Sequence, residues 1–201
     1  MKKPSDFMIP KEKLKKDEWA VVLDYLSHGR YSMERSQPVA QVMGDLYFSL
    51  LEVIVREGSA LKIGERVYIG DGKRDKVKYI RGRMEFNELT TAAKDEVQPA
   101  VEKIVKENPQ KFLEFFNKSG QLTTRMHQLE LLPGIGKRHL WAIIEERKGK
   151  AFETFTDLKK RIPLLPDPEK TVVKRIMDEI NDKDRYRVFV PRMESGKRGF
   201  E

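Results

Sequence analysis

The chain has 201 residues and no cysteine, which suits one large domain or two small ones and excludes a disulfide framework, a thiolate metal site and a Cys nucleophile. Charged residues make up 36% and the hydrophobic set 39%, enough for a core beneath a well-solvated surface. Lys and Arg number 40 against 32 Asp and Glu, a net charge of +8, and no apolar run is long enough to span a membrane.

Residues 1–17 form a polar N-terminal segment, too polar for a secretion signal. Short apolar runs rich in Val, Ile, Tyr and Phe follow. They predict strands at 19–26, 39–43, 46–55, 61–69 and 77–86. Turn signals separate them at His28-Gly29, Gly44-Asp45, Glu57-Gly58-Ser59 and Asp71-Gly72-Lys73. Five strands within residues 18–89 suggest a small closed or partly closed β-barrel, with Tyr25, Tyr47, Phe48 and Phe86 as core residues. The last strand is basic, carrying Lys76, Lys78, Arg81 and Arg83 around Tyr79. Strict alternation puts Val77, Tyr79, Arg81 and Arg83 on one face and Lys76, Lys78 and Ile80 on the other. Bases around an aromatic suit a groove that neutralises phosphates and stacks a nucleobase. A solvated edge strand accounts for the same residues.

Helical spacing takes over in residues 90–120, a pair of connecting helices. Val97, Val101, Ile104 and Val105 share one face of a helix over 92–107, with Pro99 a kink or a restart. Asn108-Pro109 opens a second helix as N-cap and first helical residue. Another short helix is expected next, with Leu122, Met126 and Leu129 on its inner stripe.

The most informative stretch is Leu131-Leu132-Pro133-Gly134-Ile135-Gly136-Lys137-Arg138-His139-Leu140, continuing to Ile143-Ile144. A short helix ends in Leu-Leu-Pro, a Gly-Ile-Gly turn follows, and a second helix starts at once, stopping at Gly149. Two glycines strip side chains from the turn and leave N–H groups at a helix N-terminus, an arrangement that holds anions. Lys137 and Arg138 in the first turn oppose the helix dipole. A bound phosphate accounts for them where helix stability does not.

This stretch, over residues 121–148, resembles the helix-hairpin-helix motif of nucleic-acid-binding proteins. The resemblance implies sequence-independent contact with backbone phosphate, often with a monovalent cation on the hairpin carbonyls; no other cofactor is expected. The candidate binding residues are thus Pro133, Gly134, Ile135, Gly136, Lys137 and Arg138 at the hairpin, with Lys76, Lys78, Tyr79, Arg81 and Arg83 on the basic strand. A shift of 33 residues places Leu131-Leu132-Pro133 on Leu164-Leu165-Pro166, Leu140 on Val173 and Ile143-Ile144 on Ile176-Met177. Residues 121–185 therefore resemble a tandem helix-hairpin-helix domain. The second copy has Asp167 and Glu169 where the first has its glycines, and reads as a scaffold without its ligand. Residues 186–201 form a basic tail, either a mobile arm touching phosphates or an added edge strand.

Both halves together, from residue 18 to about 190, resemble an archaeal family labelled domain of unknown function 655, described as nucleic-acid binders with an OB-like domain. The resemblance implies an α+β protein, a small OB-like β-barrel followed by an all-helical tandem helix-hairpin-helix domain. The family's association with ribosome and rRNA-modification genes implies RNA in preference to DNA and a ribosome-related assembly. Without a membrane-length apolar run or a secretion signal, a soluble cytoplasmic protein with no membrane partner is expected. The expected function is non-enzymatic RNA binding. A DNA-binding accessory protein of repair or transcription and a protein–protein adaptor are the alternatives. His28, His127 and His139 show no metal-ligand spacing, and nothing selects Asp24, Asp45 or Glu52 as catalytic.

Overall fold

A computed structural model describes residues 16–29 and 37–191. Most of the polar N-terminal segment, 1–15, and the end of the basic tail, 192–201, lie outside the described residues. Five strands form one antiparallel sheet: β1 (Trp19–Leu26), β2 (Val39–Gly44), β3 (Leu50–Val55), β4 (Arg66–Tyr68) and β5 (Val77–Arg83). Their order is β4-β1-β2-β3-β5, so the ladder runs in a line from β4 to β5. The sheet curls into a half-barrel, and the Lys76–Glu65 ion pair bridges from the start of β5 to the start of β4.

Period-two alternation gives this sheet two apolar faces. Ala20, Val22, Ala40, Val42, Leu51, Val53, Val67 and Val77 fill the inside of the curl. Val21, Leu23, Met43 and Leu50 point the other way, into a second core shared with the helices. Buried on both sides, β2 and β3 are apolar almost throughout, broken only by the cross-strand neighbours Gln41 and Glu52.

Three strands are shorter than expected, β5 ending at Arg83 and not at residue 86. The Asp17 carboxylate accepts from the amides of Leu46 and Tyr47 at 2.9 and 2.8 Å, which holds the chain in a turn until β3 begins at Leu50. A Cβ at Gly44 would overlap that carboxylate, so a larger residue there would push Asp17 out of its place against the turn. Strand β4 keeps only three residues, because Glu65 turns back to the Lys62 carbonyl at 3.0 Å.

Helix α1 (Thr91–Glu107) starts at Thr90, whose hydroxyl accepts from the Ala93 amide at 3.1 Å and donates to Asp24 at 2.6 Å. It passes through Pro99 without interruption. Helix α2 (Pro109–Lys118) begins with Asn108 and Pro109 in the expected roles. The core on this side runs without a break from the sheet through α1 and α2 to the C-terminal helices, across the division expected at residue 89.

The helix expected around Leu122 and Met126 does not form. In its place stand β6 (Gln121–Thr123), β7 (Met126–His127) and a single 3-10 turn, Gln128–Leu131. Thr123 explains the difference: its hydroxyl accepts from the amides of Arg125 and Met126 at 3.3 and 3.1 Å and closes a turn in competition with a helix. Then come α3 (Lys137–Gly149), α4 (Phe155–Arg161) and α5 (Pro168–Ile180).

Residues 184–191 are neither a free arm nor an edge strand. They lie as a strap on α5, where the Glu179 carboxylate accepts from the amides of Val188, Phe189 and Val190 at 2.8–2.9 Å. Arg175 completes the anchor. Its Nε donates to Glu179 at 2.7 Å and one terminal nitrogen donates to the Leu131 carbonyl at 3.0 Å and to Asp184 at 2.6 Å. The two partners are 3% and 0% exposed.

Breaking such a pair from one side costs about 3–5 kcal/mol. Arg175→Ala is therefore expected to lower the urea midpoint by that equivalent. Arg175→Met with Glu179→Leu should not recover it, because three strap amides lose their acceptor in the double variant; equilibrium denaturation of both checks this.

Candidate nucleic-acid interface

The 3-10 turn before the hairpin is capped from both sides. The His127 Nδ1 accepts from the Leu129 amide at 3.1 Å, and the Glu130 carboxylate accepts from the His127 amide at 2.9 Å. Leu129, Leu131, Leu132 and Ile135 are buried. The apolar residues thus pin the turn to the core while Gly134 and Gly136 face solvent. Gly134 has φ +82°, the left-handed region that glycine enters without a Cβ penalty. A Cβ there would also lie 3.1 Å from Pro166 Cγ, so the two hairpin turns touch at this point.

Gly136 is the N-cap of α3 and offers no side chain to the first-turn amides. Lys137 and Arg138 follow, both exposed. Lys137 is turned toward its own structure: its ammonium donates to Glu130 at 2.9 Å and to the Arg125 carbonyl at 3.2 Å. The His127 amide and then the Lys137 ammonium hold the Glu130 carboxyl below the ordinary carboxylate range. His139 contacts the Gly134 carbonyl through Nδ1 at 3.1 Å, and the Leu132 carbonyl accepts from Ile135 at 3.0 Å. A monovalent cation on the hairpin carbonyls would share Gly134 O with that imidazole.

The second copy keeps the register of 33 at its buried positions: Leu140 and Ile143 correspond to Val173 and Ile176, all buried. Its helix starts early, however. Asp167 caps α5 by accepting from the Lys170 amide at 3.1 Å, and Pro168 is the first helical residue. Glu169, aligned with Gly136, is already inside the helix. The Lys159 ammonium and then the Lys170 amide hold the Asp167 carboxyl low, against its burial.

The family model described as "Protein of unknown function (DUF655)" matches residues 16–191. The chain belongs to this family. It is 43% identical over 176 residues to the "Uncharacterized protein MJ0038" of Methanocaldococcus jannaschii, covering 87% of this chain and 80% of that one. It is similar to the crystal structure of Af1531 from Archaeoglobus fulgidus, also of this family, at a TM-score of 0.78 and 44% identity, covering 87% of this chain and 99% of the other. The shared architecture is mixed α/β, a curled five-stranded antiparallel sheet with five helices. No helix among the described residues is long and apolar enough to cross a membrane.

On the sheet of this DUF655 protein the expected alternation along β5 fails. Register shifts opposite Glu52/Val53 and Ile54/Val55 insert extra residues into β5. Val77 and Ile80 consequently pack into the same core, where strict alternation separates them. Lys78, Tyr79, Arg81 and Arg83 are exposed, Tyr79 by 44%. Two of the basic residues there are neutralised, Lys76 by Glu65 and Arg81 by Glu52 at 2.7 Å. Asp24, Asp45 and Glu52 all hold structural partners, Thr90, Arg66 and Arg81 respectively. Trp141 is the residue that the reading of the sequence missed. It is 64% exposed, one turn along α3 from Lys137 and Arg138. Its signal was available: inward positions 140, 143 and 144 leave 141 on the outer face.

Burial, and then the nearby Arg147 charge, push the His127 imidazole below its ordinary value. The neutral ring is the one that accepts from Leu129. Its contribution to stability is complete above the unfolded value of about 6.5 and is lost as pH falls through the lower folded value. Thermal midpoints are expected to decline on acidification below about pH 6.5. His127→Asn keeps an N-cap acceptor without titrating and should flatten part of that decline in parallel melts.

Proposed function

We propose that the protein binds RNA without catalysing a reaction on it, gripping backbone phosphate at the Gly134-Ile135-Gly136 turn. In this reading residues 121–185 are a tandem helix-hairpin-helix domain with one working hairpin, and the half-barrel is an OB-like domain. The observation that carries it is the start of α3: an exposed glycine N-cap at a solvent-facing turn, followed by two cations in the first helical turn. Dipole and donors together favour an anion there. Trp141 supports a nucleic-acid ligand, since an exposed indole one turn from a phosphate site suits a stacked base. Because Asp167 puts a carboxylate at the second hairpin, a single strand or loop fits better than a duplex held on both strands. That favours RNA over DNA. The proposal extends to the cytoplasm and a ribosome-related assembly as the setting.

Gly136 has φ −92° and open space around its Cβ position, so substitution there leaves the fold intact. Gly136→Asp supplies an intramolecular carboxylate to the amides that would hold phosphate. Stability is expected to stay level or rise by a few tenths of a kcal/mol, while RNA binding is lost. Unchanged affinity in a filter-binding titration would rule out the hairpin as the grip. Trp141→Ala should weaken single-stranded RNA by about 1–3 kcal/mol, duplex RNA much less, and Trp141→Phe should recover most of it. Quenching of indole fluorescence in a Trp19→Phe background reports the same contact directly.

A further inference from the structure

A groove of about 860 Å³ lies between α1 and α5. Lys103 and Lys106 line it from α1, Lys170 and Lys174 from α5, with Glu102 and Glu169 the only acidic residues in its wall. All four lysines are exposed. Several other surface lysines are paired: Lys76, Lys118, Lys137, Lys148, Lys150 and Lys159 each meet a carboxylate, while the exposed Lys73, Lys78 and Lys160 stand unpaired but scattered, not gathered at one groove. Among the described residues the groove lysines meet none within 4.0 Å. Lys103 reaches only the Gly64 carbonyl, at 3.4 Å, and Glu102 accepts instead from Gln98 at 2.9 Å.

Gathering four like charges around one groove without partners opposes folding. Helix chemistry does not call for them all either, since Lys170 sits in the first turn of α5, where the dipole disfavours a cation. A polyanion lying in the groove resolves both. The groove is also close to the hairpin. Gly134 packs against Pro166, and Lys170 and Lys174 follow four and eight residues later. At 1.5 Å per helical residue the two lysines lie about 3 and 9 Å along α5 from its first residue, Pro168.

We propose that the α1–α5 groove is a second phosphate track, holding the backbone of the same RNA strand that the hairpin grips. This inference rests on the reading under Proposed function. It gives the second hairpin copy a purpose. Having lost its own phosphate site, it positions Lys170 and Lys174 for the groove instead. Pro99, Val173 and Met177 supply the apolar part of the lining.

The test compares the full chain with a variant carrying Lys103→Gln, Lys106→Gln, Lys170→Gln and Lys174→Gln. Each is titrated with a fluorescent 12-nucleotide single-stranded RNA between 50 and 200 mM salt. Each phosphate contact contributes about 0.7 to the slope of log K against log salt for a single strand, so the slope should fall by up to about 2.8. Melting by circular dichroism should hold or rise slightly, since the substitutions remove four unpaired like charges from exposed positions. An unchanged slope and affinity in this variant, with binding lost in Gly136→Asp, would overturn the groove and leave the hairpin reading standing. Loss in the lysine variant with Gly136→Asp unaffected would overturn the hairpin and leave the groove. No binding by the unmodified protein at 50 mM salt would overturn both.

Discussion

The buried ion pair of Arg175 with Glu179 is the joint on which the C-terminal half turns. One guanidinium reaches four acceptors that belong to three separate pieces of chain: Glu179 on α5, the Leu131 carbonyl before the glycine turn, and Asp184 and the Tyr186 carbonyl in the strap. Only a planar, multi-donor cation can satisfy them together, and a lysine in its place would leave acceptors unmet. Burial raises the Asp184 carboxyl, but the hydrogen bonds from Arg175 and the Tyr186 amide together with the Arg175 charge outweigh it, and the group sits below its ordinary value. The charges therefore persist inside the structure. A buried pair taken alone adds little net stability over an apolar substitute, but here Glu179 also serves three strap amides that an apolar residue cannot, so the pair both stabilises and fixes position. What it fixes is the residue three places ahead of Gly134, so the exposed turn inherits its geometry from the interior.

Helix α1 does the corresponding work for the molecule as a whole. It lies against β1 on one side and α5 on the other. The curled sheet has two apolar faces. It buries one within its own curl and needs a partner for the other. Supplying that partner merges the sheet and the helical region into one core. The division near residue 89 is real as a change of secondary structure and absent as a break in packing. Phe189 from the strap closes the same core over α2, its ring 5.6 Å from Phe112 and 5.3 Å from Phe115.

What could be seen in the sequence was whatever rests on local periodicity. Strand β1 matches to the residue, and α2 starts where Asn108-Pro109 says it should. What was hidden depends on side chains acting at a distance or on a single extra residue. Asp17 shortens β3 from 29 residues away. Two register shifts in β5 bring Val77 and Ile80 to one face. Thr123 closes a turn where apolar spacing alone suggests a helix. At the candidate site the glycine turn was legible from composition, since few other residues permit it. The pairing of Lys137 with Glu130 was not, because it depends on how the 3-10 turn folds back on α3. The lysine groove was invisible for a simpler reason: its two walls are separated by more than sixty residues of sequence.

The two turn-and-helix copies carry the same buried pattern and differ in what stands at the helix start. In the second, a carboxylate from the chain itself takes the amide and also meets Lys159 at 2.9 Å, so its anion is built in. In the first, glycine stands at that position and the basic residues are retained. A glycine N-cap forgoes only a few tenths of a kcal/mol relative to aspartate. So small a cost sets no barrier to aspartate at Gly136, and the second copy shows that this architecture accepts one at a helix start. The two helix starts are therefore finished differently. One helix start is finished as structure. The other leaves its donors facing solvent, beside an exposed tryptophan that the core does not use.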